Sequence, residues 1–320
     1  MGSARLAGID IGGTKLYALV TDAEGKILGR AKKKTRPKKG YAAVLERVEA
    51  CFAEALEAAG VAREAITAVG VGAPSAITPA GVAVDAPNLG WKDAPLARDL
   101  EALLGRPVRL DNDCNCGALG ELSFGAGRGH ASLVGLFVGT GLGGGIVHEG
   151  KVLRGHTGLA AELGHLVIRH GGRTCGCGRE GCLEAYASKT AMGRRLRRAV
   201  EKEGRPTLLT ELGVEDLGSL RSGLLARAYR EGDALTREVV DEAADYLGAG
   251  VASVITALGP EIVVLGGGVM EALGEELLPL VRASARRSTF PDAAFAATPI
   301  ELGTLGDDAV ALGAVALART

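Results

Sequence analysis

Apolar and polar positions alternate in short runs at the start of the chain and then change rhythm. Leu6 to Ile11, Leu16 to Thr21 and Ile27 to Ala31 have strand character, with Asp22-Ala-Glu-Gly25 as a hairpin turn between the last two. From Tyr41 to Ala59 the period becomes helical: Val44, Leu45, Val48, Phe52, Ala55 and Leu56 line one face, and Gly60 supplies a stop. Ile66 to Val71 reads as a short buried strand, Leu96 to Leu104 as a helix, and Val108 to Leu110 as strand again. Three strands followed by alternating helix and strand predict a mixed α/β domain.

The second half repeats the theme with more helix. Leu133 to Val138 is a strand pattern, regularity is lost between Gly155 and Gly181, and Ala185 to Lys202, Leu217 to Arg230 and Ala234 to Leu258 are helical. Ile262 to Leu265 is a buried strand closed by Gly266-Gly-Gly268, before helices at Met270 to Ala285 and Asp307 to Ala318.

Polar groups interrupt this pattern at a few places that suit chemistry. Asp10-Ile-Gly-Gly-Thr-Lys15 sets a carboxylate, small turn residues, a hydroxyl and an ammonium between two strands. Gly139-Thr-Gly-Leu-Gly-Gly-Gly145 places small turn residues and a hydroxyl, without the carboxylate or the ammonium, after Leu133 to Val138, and each unit is followed by a Glu-Gly-Lys turn, at Glu24 and at Glu149. Neither has the spacing of a P-loop or of a dinucleotide fingerprint. As a pair they read as two hairpins facing nucleotide phosphates. Gly12, Gly13, Gly139 and Gly141 allow close backbone approach, and Thr14 and Thr140 donate hydroxyls. Lys15 offsets charge, and Asp10 holds hydrated magnesium or orients its water. Gly266, Gly267 and Gly268, between a buried strand and a helix, suit both close packing and the approach of a nucleoside.

Asp111-Asn-Asp113 lies where a strand gives way to a helix, the usual place for a ligand at a strand's carboxyl end. Asp113 is the candidate general base for a phosphoryl acceptor hydroxyl, Asn112 suits a neighbouring sugar hydroxyl, and Asp111 reads as a helix cap. Asn88, in the loop Asn88-Leu-Gly-Trp91, and the turn from Gly72 to Ser75 are further substrate candidates, while Trp91 reads as a packing residue.

Cys175-x-Cys177-x4-Cys182 gathers half of the 6 cysteines into eight positions among glycines, a spacing for structural zinc. His156, His165 and His170 are all in reach as a fourth ligand, and periodicity does not choose among them. Glu162 and His165, three apart, share a face if the turn is helical, and Glu184 follows Cys182 into the same region. Cys114 and Cys116 do not face each other on a helix and read as packing rather than a redox pair.

Composition narrows the classes. With 320 residues and 47% hydrophobic content the chain builds large cores and favours two domains. A net charge of -1 and 3% aromatic residues argue against nucleic acid as a partner. The basic cluster Lys32 to Lys39 reads as a solvated strand end and loop. No signal-peptide pattern and no membrane-spanning run is visible, so a cytoplasmic protein without membrane contact is expected.

Taken together these motifs resemble the ROK family of bacterial sugar kinases and related repressors, particularly its glucokinase branch. The resemblance also takes in Pro87-Asn-Leu-Gly-Trp91, Ala118-Leu-Gly-Glu121, Glu162-Leu-Gly-His165, Gly181-Cys-Leu-Glu184 and Leu265-Gly-Gly-Gly268, in order along nearly the whole chain. It implies an actin-like ATPase (ribonuclease H-like) fold of two α/β domains with a cleft between them. A smaller domain would span 1–112 plus 303–320, with the C-terminal helix returning to it, and a larger one 113–302. The implied activity is ATP-dependent phosphorylation of glucose at its 6-hydroxyl, with Mg2+ as cofactor. The resemblance maps the base onto Asp113, sugar contacts onto Asn112, Glu162, His165 and Glu184, and structural Zn2+ onto His165, Cys175, Cys177 and Cys182. A homodimer or homotetramer is implied as well. Two positions depart from the family pattern: Cys114 replaces an alanine and Ser75 a glycine, the latter bearing on sugar specificity. Another hexose or an N-acetylhexosamine is the alternative substrate, and a sugar-responsive regulator the non-enzymatic one. A repressor's DNA-binding module would precede the first hairpin, which begins at residue 10.

Overall fold

A computed structural model describes residues 4–319. In chain order its strands are β1 (Arg5–Ile11), β2 (Lys15–Thr21), β3 (Ile27–Lys34), β4 (Ile66–Ala73), β5 (Ala83–Ala86) and β6 (Trp91–Ala94). They continue with β7 (Val108–Asn112), β8 (Leu133–Val138), β9 (Leu142–His148), β10 (Lys151–Val152), β11 (Ile262–Gly266) and β12 (Ile300–Leu302). Two five-stranded sheets run β3-β2-β1-β4-β7 and β10-β9-β8-β11-β12, and β5 and β6 form a separate ribbon.

In the first sheet β1, β2 and β3 are antiparallel, whereas β4 and β7 join β1 in parallel. The parallel register aligns Asp10 with Gly72 and Gly72 with Asp111. Three polar or small residues thus form one row at the carboxyl ends of adjacent strands. The helix Tyr41–Ala59 covers one face through Val44, Val48, Phe52 and Ala55, the face its periodicity predicts. Gly60, in the left-handed region at φ 62, ends it.

The other face carries the helix Ala309–Ala318, packed against Leu6, Tyr17 and Leu19 through Ala311, Leu312 and Val315. Its backbone comes so close that a Cβ on Gly8 would lie 1.9 Å from the Ala311 carbonyl oxygen, and one on Gly70 1.7 Å from that of Ala314. The same helix meets the helix Asp113–Phe124, where a Cβ on Gly313 would lie 1.6 Å from the Cys116 oxygen. Grouped by contact, residues 4–135, 145–161 and 304–319 form one compact unit, and 136–144 with 162–303 a second. Helix Asp113–Phe124 belongs to the first.

Two sequence-predicted helices are interrupted. The stretch from Leu217 is a 3₁₀ turn followed by the helix Ser222–Arg230, because the Asp216 carboxylate accepts from the Gly218 amide and the Ser219 hydroxyl and closes a local turn. Likewise Ser188 separates the short helix Glu184–Ala187 from Lys189–Glu203, capping the latter by accepting from the Ala191 amide. The glycines after Leu142 lie in strand: β9 starts at Leu142, and Gly144 leaves room for Leu163.

Candidate active site

The first hairpin turns at Gly12 to Thr14, where the Gly12 amide donates to the Lys15 carbonyl at 2.9 Å. Thr35 braces the turn, its hydroxyl donating to the Gly12 carbonyl at 2.6 Å and its amide to that of Thr14 at 2.9 Å. Thr14 is exposed, Asn88 is exposed too, and the Asn88 Cβ would lie 3.2 Å from a Cβ on Gly13. Trp91 is buried and meets Tyr41 edge to face at 5.1 Å, so it belongs to the core. Lys15 pairs with Asp307 at 2.9 Å, and Asp307 also receives Lys32.

Asp10 sits at the end of β1. Burial, and after it the negative charge of Asp113, push its carboxyl up to about 7. A divalent cation is the natural partner for such a carboxylate, so Asp10 and its turn fit a magnesium-bound phosphate.

The strand-to-helix junction is built differently from the sequence reading in one respect. Asn112, not Asp111, caps the helix: its side-chain oxygen accepts from the Cys114 and Asn115 amides, at 2.8 and 3.2 Å. Its amide nitrogen donates to the Ser75 carbonyl at 3.3 Å, leaving one N–H for a ligand. Asp111, 3% exposed, instead accepts from Arg154 at 2.6 and 2.8 Å and from Asn115 at 2.8 Å. A buried carboxylate needs such partners. Asp113 opens the helix, half-buried, its Oδ1 accepting from the Cys114 amide at 2.8 Å.

Gly72 is filled in on its side-chain face, since a Cβ there would lie 2.6 Å from Val310 and 3.5 Å from the Asp113 Cα. Ser75 spends its hydroxyl inside the turn, donating to the Ala76 carbonyl at 3.1 Å and accepting from the Asp85 amide at 3.2 Å. Cys116 is buried and its thiol pushed well up by burial, which fits packing rather than redox chemistry.

In the second unit the turn Gly139 to Gly141 rests on the helix Lys189–Glu203. The Lys189 amide donates to the Gly139 carbonyl at 3.0 Å and the Thr190 hydroxyl to the Thr140 carbonyl at 2.7 Å. Glu184 ties this turn to the cysteine loop: its Oε2 accepts from the Leu142 amide at 2.9 Å and its Oε1 from the Cys175 thiol at 3.5 Å. Gly266 and Gly267 lie against Phe137 and the Val138 carbonyl, where a Cβ would come within 2.8 and 2.7 Å, while Gly268 is less crowded.

His165, Cys175, Cys177 and Cys182 form one cluster, their ligand atoms all within 4.8 Å of one another, and neither His156 nor His170 belongs to it. Three sulfurs and an imidazole match four-coordinate zinc. Cys177 is exposed and already acidic, its thiol lowered to about 7 chiefly by the Arg179 backbone amide. Leu163–His165 is a single 3₁₀ turn preceded by Glu162, with the His165 amide donating to the Glu162 carbonyl at 2.9 Å. The Glu162 carboxylate is exposed and makes no ion pair among the described residues.

The ROK family model matches residues 6–320. The chain belongs to the ROK family. Within it, this ROK protein is 37% identical to the glucokinase of Streptomyces coelicolor over 98% of its own length and 96% of that protein. The ROK hexokinase of Thermus thermophilus superimposes with a TM-score of 0.82 at 38% identity, each chain covered to 98%. The Streptomyces griseus ROK glucokinase, solved with glucose and AMPPNP, gives 0.85 at 36% identity, each chain covered to 99%. The mixed sheets of this ROK protein are those of solved family members.

Sequence reasoning passed over Arg154 and Asp307. Each is the partner of a residue it had singled out, but no local pattern announces an ion pair between Lys15 and a residue 292 positions away.

Proposed function

We propose that this ROK protein is an ATP-dependent glucokinase that phosphorylates the sugar 6-hydroxyl on an actin-like ATPase fold. The observation that carries the reading is the strand-end row of Asp10, Gly72 and Asp111, followed by Asn112 and Asp113, in a chain similar to a glucose-bound glucokinase over its whole length. Asp113 is the base: its carboxylate orients the acceptor hydroxyl and takes its proton. Asn112 offers its remaining N–H to a neighbouring hydroxyl, and Glu162, His165 and Glu184 are assigned to the other hydroxyls. Asn88 and the turn at Gly72 to Ser75 complete the sugar side.

The triphosphate is assigned to Gly12, Gly13, Thr14 and Lys15 and to Gly139, Thr140 and Gly141, with Gly266 to Gly268 against the nucleoside. Magnesium, held through Asp10, neutralises charge on the transferring oxygens. Zinc at His165, Cys175, Cys177 and Cys182 has no open position and serves structure. A zinc-bound thiolate carries no proton, so metal binding ends the Cys175 donation and frees Glu184 Oε1 for a sugar hydroxyl. We assign the enzyme to the cytoplasm as a homodimer or homotetramer. No helix among the described residues is long and apolar enough to cross a membrane.

A coupled ADP-release assay over a hexose panel tests the substrate: glucose is expected to lead, and preference for mannose or an N-acetylhexosamine overturns the choice of sugar. Asp113→Asn is expected to lower kcat by about a thousandfold or more, the scale of a lost general base, with nucleotide affinity retained. Near-normal turnover removes Asp113 from that role.

A further inference from the structure

A pocket of about 520 Å³ in the first unit opens between the β2–β3 turn, the end of helix Asp113–Phe124 and the C-terminal helix. Lys26, Arg30, Arg128 and Arg319 line it, with Glu24 as the sole carboxylate among its lining residues. Lys26 and Arg128 are exposed and make no ion pair among the described residues.

The other two cations are already set. Arg319 donates to the Ala23 carbonyl at 2.6 Å and lies over the Phe124 ring at 4.9 Å. Arg30 donates to the Tyr17 hydroxyl at 2.9 Å and pairs with Asp308 at 2.7 Å. The turn that carries Lys26 is seated as well: Asp22 accepts from the Glu24 and Lys26 amides at 3.1 and 2.8 Å. Gly25, at φ 91, lies so close to Phe124 that a Cβ would be 2.2 Å from a ring carbon.

Asp308 offsets Arg30, but Lys26, Arg128 and Arg319 leave the cavity with more positive charge than Glu24 offsets, and guanidinium forks match phosphate oxygens in pairs. We infer that this pocket binds a phosphate-bearing anion, at a site apart from the residues assigned to the phosphoryl donor. Its occupant also touches the first hairpin indirectly. Arg30 holds Asp308, and the adjacent Asp307 holds Lys15, so an anion that draws on Arg30 loosens the acidic pair that restrains that lysine. Occupancy is therefore expected to change the KM for ATP, a consequence that rests on the proposed function; the binding itself does not.

Isothermal titration of the full chain, saturated with glucose and a non-hydrolysable ATP analogue, tests the site with inorganic phosphate, pyrophosphate and glucose 6-phosphate in separate runs. At least one is expected to bind at one site per chain, weakening as salt is raised, and the tightest of the three identifies the source of the phosphate. Lys26→Ala/Arg128→Ala is expected to lose at least about tenfold in affinity, as removal of two phosphate contacts should, with basal turnover unchanged. Arg128→Glu, a surface change, is expected to abolish the binding. Absence of binding by all three anions, or equal affinity in the double variant, overturns the inference, and neither result bears on whether glucose is phosphorylated.

Discussion

At the scale of single residues, Asp10 shows how position sets chemistry. Burial and Asp113 raise its carboxyl to about 7, so between about pH 4 and 7 the folded chain holds a proton that the unfolded chain releases. The sign follows: the contribution of Asp10 to stability is full below its unfolded pKa and is lost as pH rises through the folded one. In ligand-free protein Asp10→Asn is therefore expected to raise Tm relative to wild type more at about pH 8 than at about pH 5. Thermal scans at the two pH values check it, and an equal difference at both would contradict the raised carboxyl. The sequence singles out this residue and Asp113 because a carboxylate at the end of an apolar strand, or at the strand-to-helix junction after one, is a local mark. It misplaced the helix cap, since Asp111 and Asn112 are adjacent candidates for the role and only the distant Arg154 decides which of them is drawn inward.

Among the elements, the glycines of the sheet do more than turn. Gly8 and Gly70 are paired across β1 and β4, and the C-terminal helix runs over both with backbone against backbone. Gly70→Ala is expected to cost about 3 kcal/mol or more, the upper range for overpacking, because a carbonyl and not a flexible side chain must move. Denaturant unfolding measures it; a loss below about 1 kcal/mol would mean the helix shifts freely. The cysteine loop is the other decisive element. Cys177→Ser is expected to lose zinc together with thermal stability and glucose affinity, and stoichiometric zinc in the purified variant would undo the ligand assignment. Spacing alone made the three cysteines legible, and family resemblance chose His165 from three histidines. His165 closes the 3₁₀ turn Leu163–His165, and its ring nitrogen lies with the three sulfurs. The interrupted helices were hidden because Ser188 and Asp216 act as caps inside otherwise helical periods.

For the molecule as a whole, the periodicity reveals which segments are helix or strand but not that the last helix completes the first sheet, since its partners Leu6, Tyr17 and Leu19 lie at the opposite end of the chain. Removing residues from Thr304 onward takes away the buried side chains of Leu312, Val315 and Leu317 and uncovers the sheet face of Leu6, Tyr17 and Leu19 beneath. The loss is on the order of 10 kcal/mol, comparable with the whole stability of a typical domain. The truncated chain is expected to be insoluble or to lack a cooperative melt, and a soluble product with a sharp transition would refute it. Because that returning segment leaves the ribosome after all of residues 162–303, the sheet made first waits uncovered through most of translation, its apolar face available to chaperones, while the later-made unit can reach its final state before it.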